Sequence, residues 1–230
     1  MQPSGITQPA LKYSFDFSAP LAYWPDLLAG AWTTLTLSLA STVFGFMVGV
    51  LCALATTGRA AWLARVANVY IEVIRNTPLL VQVFIVYFGM SSMGFQVGAF
   101  TAATIALVVN VGAYTAEIVR AGIQSIPKGQ AAAASALGLT YFASMRSVIL
   151  PQVFRNMTPI LLTQTIVLFQ DTSLVYVLSV TDFLGAASKI AQRDGRLVEM
   201  YLFAAVVYFA VCFVASLAVR RLQKKIAIIR

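Results

Sequence analysis

The sequence predicts an all-α membrane protein with about five transmembrane helices, and three observations carry that reading. Hydrophobic residues fill 60% of the 230 positions and charged residues only 10%, against about 25% charged in ordinary soluble domains. Leu27 to Gly58 runs 32 residues without a charge, and Asn76 to Ala116 runs 41. The basic residues also divide unevenly among the segments joining the apolar runs, which orients the chain in a bilayer. The expected organisation is an extracytoplasmic arm over 1–26 and a single transmembrane domain over 27–230.

The arm lacks the basic start and short apolar core of a cleavable signal peptide. Tyr23, Trp24 and Trp32 suit the depth of a membrane interface, where amphipathic rings settle. The first span is expected at about 30–55. Its "GFMVG", Gly45 to Gly49, fits close packing within the subunit better than a dimer seam. At ~1.5 Å per residue, the 41-residue run would make about 60 Å of helix, twice the ~30 Å hydrocarbon core. It therefore folds back once, at "SSMGFQVG", Ser91 to Gly98, giving spans at about 77–92 and 98–118. A fourth span, at about 148–170, is interrupted by Pro159 and has Arg155 near one end. The fifth, at about 200–219, is followed by the basic "RRLQKKIAIIR". Cys52 and Cys212 lie in apolar runs and read as packing residues.

"KGQAAAASALGLTYFASMR", Lys128 to Arg146, is the ambiguous stretch, uncharged between its basic ends. If it stays out of the membrane, one side of the bilayer holds Arg59, Arg65, Arg75, Arg120, Lys128, Arg146, Arg155 and the basic C-terminus. That is 12 of the 16 basic residues, with only Glu72 and Glu117 among the acids. If it spans, the basic residues split evenly. The positive-inside bias favours the first arrangement. It puts the N-terminus outside, the C-terminus inside and a cytoplasmic loop at 127–147. The net charge of +8 is thereby explained by topology, and no nucleic-acid partner is implied.

Pro127 and Pro151 punctuate this loop, "GQAAAASAL" has high helix propensity, and Gly138 ends or bends the helix. A slim, small-residue helix suits the groove of a partner protein as well as the headgroup surface of membrane lipid. Its residues carry a further pattern. Ala132-Ala133-Ala134, then Gly138, then Val148-Ile149-Leu150-Pro151 resembles the Glu-Ala-Ala loop of the inner-membrane subunits of ATP-binding-cassette (ABC) importers, with matching spacing. "RNTPLLVQ" from Arg75, "YTAEIVRAGIQSIPKGQ" from Tyr114 and "LPQVFRNMTP" from Leu150 resemble the polar amino-acid uptake branch of that family. The stretch from about Arg120 onward is similar to glutamate/aspartate permeases.

The resemblance implies a coupling helix, Gly129, Gln130, Ala131, Ala132, Ala133, Ala134, Ser135, Ala136, Leu137 and Gly138, docking into a cytoplasmic P-loop ATPase dimer. It also implies a second permease subunit, an extracytoplasmic substrate-binding protein and residence in a bacterial inner membrane. ATP and Mg2+ would bind the ATPase, leaving no cofactor on this chain. Ala132 stands where the family motif has glutamate. That departure favours a heterodimer with a full-motif partner over a homodimer.

Ionisable and amide groups at membrane depth are costly and usually face a partner or a pathway. Asn110, Tyr114 and Glu117 share one helical face. Gln164 and Asp171 repeat the seven-residue interval, with Gln170, Thr172 and Ser173 adjacent, while Thr77 and Gln82 open span two. These residues are candidates for the substrate path. The competing reading makes Glu117 an ion pair with Arg120 or a loop arginine, Asp171 a cap, and Asn110 and Gln164 interhelical bonds.

The chain has no G-x-x-x-x-G-K-[ST] and no histidine, which excludes P-loop ATP hydrolysis and nucleophile–histidine catalysis. No metal-ligand cluster is expected either. The expected function is the permease of an ATP-driven amino-acid importer, first of all for acidic amino acids. An ion-driven carrier fits less well, because five spans divide poorly into two repeats. A passive membrane scaffold fits poorly with polar faces inside three spans.

Overall fold

The structure is a computed structural model that describes residues 14–58 and 60–226. Lys12, Arg59 and Arg230, which enter the charge argument, lie outside them, as does the arm before residue 14. The described residues form helices joined by short connections, without a strand. Four helices are long and apolar enough to cross a bilayer, and a bent pair supplies a fifth candidate by length and composition.

A short turn, α1 (Ser18–Ala22), precedes α2 (Trp24–Thr57). Pro25 and Asp26 begin α2 as helices prefer, with a ring that needs no N–H partner and a carboxylate against the helix dipole. One face of α2 carries the small buried residues Gly30, Thr34, Ser38, Ser41, Gly45, Gly49 and Ala53. The other exposes Trp32, Leu35, Leu39 and Val43, the side a bilayer would cover. The small face lets α2 lie close along α5 (Ala99–Gln124). A Cβ added at Gly45 would stand 2.6 Å from Val111 Cγ1. The Gly45–Gly49 pair therefore serves packing inside the subunit.

α5 is the central helix, flanked by α2, α3, α4 and α8. Its alanines and glycines, Ala102 to Gly122, are buried along most of its length.

The second span differs from the expected 77–92. α4 (Leu79–Ser92) is preceded by α3 (Ala61–Arg75), and the two meet at 109°. α4 alone has 14 residues, about 21 Å at 1.5 Å each, which is too short for a ~30 Å core. With α3 it reaches the length and apolar composition of a candidate crossing, bent at this break. Pro78, without an N–H, stands at the break. Arg75, expected in a cytoplasmic loop, instead sits at this elbow.

α6 (Lys128–Ala136) and α7 (Tyr141–Ser144) follow α5. A π-turn over Met145–Ile149 runs directly into α8 (Leu150–Asp171), so the fourth apolar stretch extends from Tyr141 to Leu178. A 3-10 turn, Thr172–Leu178, ends at Ser179 with φ +63°. Asp182 then caps α9 (Phe183–Asp194), accepting from the amides of Leu184 (3.2 Å) and Gly185 (2.9 Å). Thr34 Oγ1 accepts from Phe183 N across the bundle at 3.0 Å. Burial pushes the Asp182 carboxyl up to about 6, against the pull of those amides.

α10 (Leu197–Ile226) packs against α8 and α9. At its start Arg196 donates to the Ser14 carbonyl (2.6 Å) and pairs with the buried Glu199 at 3.3 Å. These bonds hold residues 14–16 against the α9–α10 turn.

Candidate substrate cavity and docking helix

The elbow between α3 and α4 faces α5 and α8 across a cavity of about 510 Å³. Five residues picked out by the sequence converge on it: Thr77, Asn110, Tyr114, Gln164 and Asp171. Arg75 and Asn76, which sequence reasoning left in a loop, line it too. The signal that could have found them was Pro78 with Asn76 and Thr77, a helix break placed where a span had to pass.

Each group is held differently. The break at Pro78 frees backbone carbonyls, and the Gln82 amide bonds to two of them, Ile74 (2.7 Å) and Thr77 (2.9 Å). Thr77 Oγ1 lies 2.9 Å from the same nitrogen. Gln82 Oε1 accepts from Asn110 Nδ2 at 3.0 Å, tying the elbow to α5. Gln82 is thus buried behind the cavity and shapes it, while Asn110 reaches its wall.

Arg75 lies 5.6 Å over the Tyr114 ring, within the range of a cation–π contact. One guanidinium nitrogen stands 3.6 Å from Glu117. Glu117 is also gripped in a fork by Arg120, at 2.6 and 3.0 Å. It therefore forms the ion pair weighed from sequence and is absent from the cavity wall.

Asp171 accepts no hydrogen bond and joins no ion pair among the described residues, nor does the Gln164 amide find a partner there. Asp171 begins the 3-10 turn without capping it through its side chain. The remaining candidates separate from this group. Gln170 and Ser173 line a different groove with Tyr201 and Tyr208. Thr172 is buried, and its hydroxyl donates to the Phe169 carbonyl at 2.8 Å.

At the other end of α5, α6 stands out from the bundle. Of Lys128 to Thr140 only Ala134 is buried. Gly138, at φ +78°, ends the helix in the left-handed conformation, which a Cβ would penalise. On either side of it Leu137 is 81% and Phe142 73% exposed. Gly129 to Ala133, Ser135, Ala136 and these apolar tips form one open surface.

Residues 45–228 match the family of binding-protein-dependent transport system inner membrane components. The chain belongs to that family. The permease is 43% identical over 225 residues to the glutamate/aspartate import permease protein GltK of Escherichia coli O6:H1, covering 94% of this chain and 100% of the relative. It is 38% identical to the glutamine transport system permease GlnP of Escherichia coli K12, over 94% and 99%. The L-cystine transport system permease TcyB of Bacillus subtilis is 36% identical, over 89% and 88%. Among solved structures, a crystal structure of an amino acid ABC transporter with histidines superposes with a TM-score of 0.88. It is 36% identical over 93% of this chain and 100% of that one. An inward-facing MetNI methionine ABC transporter shares the fold at a TM-score of 0.72 and 22% identity, over 90% and 99% of the two chains.

The permease is therefore an inner-membrane subunit of an amino-acid ABC importer. Family membership implies a separate ATPase and a binding protein.

Proposed function

We propose that this permease forms the translocation path for glutamate and aspartate. The observation that carries the reading is the cavity with Arg75 on one wall and the unpaired carboxylate of Asp171 on another. An α-amino acid presents a carboxylate and an ammonium. The Arg75 guanidinium takes the first in a charge-assisted hydrogen bond and Asp171 takes the second. Thr77, Asn110, Tyr114 and Gln164 supply the polar surround for the side chain. The acidic preference is supported by the 43% identity to GltK. The N-terminus lies outside, where the binding protein delivers substrate, and the C-terminus lies inside.

α6 docks into a cleft of the ATPase dimer, on which ATP and Mg2+ bind. With Ala132 in place of the motif glutamate, docking here is steric, through the small-residue face and the exposed Leu137 and Phe142. A second permease subunit with a complete motif completes the path. Closure of the ATPase dimer pushes α6, and α5 and α8 carry that movement to the cavity walls as a rigid-body switch from inward-facing to outward-facing.

The test is uptake of radiolabelled glutamate into proteoliposomes holding the assembled importer. Uptake is expected to need ATP, the ATPase and the binding protein, and to fall in Arg75→Ala. Uptake by this chain alone, driven by an ion gradient, would overturn the proposal. Equal uptake by Arg75→Ala would remove the cavity from it.

A further inference from the structure

α3 has three faces, and the route described so far uses only its end. The first is the core face, where Ala67 and Ile71 are buried and the Tyr70 hydroxyl donates to the Val109 carbonyl at 2.6 Å. The second exposes Trp62, Val66, Val69 and Val73, spaced at i, i+4, i+7 and i+11 as an apolar stripe. The third exposes Arg65, Asn68 and Glu72, spaced at i, i+3 and i+7. Glu72 Oε2 accepts from Asn76 Nδ2 at 3.0 Å, and Asn76 lines the substrate cavity. The third stripe is therefore continuous with that cavity. A groove of about 510 Å³ runs along it, where Arg65, Asn68 and Glu72 stand beside Ala61, Ala64 and the edge of the apolar stripe at Val69 and Val73. Arg65 and Asn68 make no side-chain hydrogen bond or ion pair among the described residues.

A bilayer cannot cover this face cheaply. A charged side chain at membrane depth costs ~2.5–3.5 kcal/mol even on insertion scales, so charged side chains there face a polar partner or water. Arg65 to Arg75 spans ten residues, about 15 Å along the helix axis. The stripe has the polarity of an aqueous wall that begins at the cavity.

We infer that the Arg65–Asn68–Glu72 face of α3 is the wall of the inner half of the path, along which the hydrated amino acid leaves the cavity. This rests on the reading of the cavity as the amino-acid site. Arg65 offers the substrate carboxylate a second guanidinium after Arg75, and Glu72 offers the ammonium a carboxylate one turn below the elbow. Trp62 and Val66, on the apolar stripe and outside the groove, face lipid.

The experiment is thiol labelling in inside-out vesicles holding the assembled importer, with Cys52 and Cys212 replaced by alanine. The probe is methanethiosulfonate ethylsulfonate, which is anionic and membrane-impermeant. Without ATP, Asn68→Cys is expected to react at least about tenfold faster than Val66→Cys, which lies on the apolar stripe outside the groove, since one faces water and the other lipid. Trapping with ATP, vanadate and binding protein is expected to slow Asn68→Cys severalfold while Lys225→Cys on the cytoplasmic tail reacts unchanged. Ala64→Cys, in the same groove, repeats the measurement should Asn68→Cys assemble poorly. Equal rates at positions 68 and 66 would overturn the inference. So would labelling at 68 and 64 that ignores trapping, the behaviour of a helix lying on the membrane surface. Amino-acid binding and uptake by the cysteine-free parent are measured in parallel. Their loss would count against the cavity reading, whereas labelling failure with uptake intact would count against the α3 wall alone.

Discussion

Replacing Asp171 by asparagine separates recognition from folding. The side chain keeps its shape and loses its charge. Because Asp171 has no internal hydrogen bond or ion pair among the described residues, no protein group is left unpaired, and the thermal midpoint is expected to stay put. A hydrogen bond to a charged group contributes about 1.5–3 kcal/mol. At ~1.4 kcal/mol per tenfold in affinity, losing the ammonium contact weakens binding by about 10- to 150-fold. The assay is calorimetric titration of glutamate into the purified permease–ATPase complex without the binding protein, whose own affinity would otherwise mask the change. N-acetylglutamate, which lacks the ammonium, is expected to bind Asp171→Asn and the parent alike. A glutamate Kd within about twofold of the parent would refute the assignment, since that is well under 1 kcal/mol.

Three further outcomes follow from the geometry. Ala132→Glu, on the exposed face of α6, is expected to tighten ATPase association and raise ATP-driven uptake, read by co-purification and transport. Gly45→Leu forces a side chain against Val111 of α5. Overpacking costs about 1–3 kcal/mol, and a lower thermal midpoint in detergent is the readout. Asp182→Asn keeps an N-cap acceptor but removes a carboxyl whose folded pKa is raised to about 6 by burial. A raised acid favours the folded state when protonated and loses that contribution as pH rises from about 4 through 6. The midpoint of Asp182→Asn relative to the parent is therefore expected to rise across that window.

What the sequence disclosed and what it hid have physical causes. Long uncharged runs mark helices that lipid can cover, so α2, α5, α8 and α10 were legible as spans, with ends off by several residues. Gly45 and Gly49 were legible as close-packing positions because small residues at that spacing serve few other purposes. α3 was not legible as a helix leading into the second apolar run. Its Arg65, Asn68, Glu72 and Arg75 make it look like a loop to any measure averaged around the helix. Arg75 was misplaced for the same reason, since a charge at the edge of an apolar run reads as its boundary. Thr77, Asn110, Tyr114, Gln164 and Asp171 could be picked as polar groups in apolar runs. Only the 109° turn at the elbow shows that they share one space with Arg75, and that Gln170, Thr172 and Ser173 do not.

The elbow also limits what can move. A break in a membrane helix would ordinarily be a pivot, because its freed carbonyls hold the two halves loosely. Here the Gln82 amide bonds to the carbonyls of Ile74 and Thr77, and its oxygen fastens the corner to Asn110 of α5. The corner behaves as a bracket rather than a joint. On the proposed mechanism, α3, α4 and α5 then swing as one piece when the ATPase closes. The flexing is left to the connections at their ends, at Gly58 and at Ser125–Pro127.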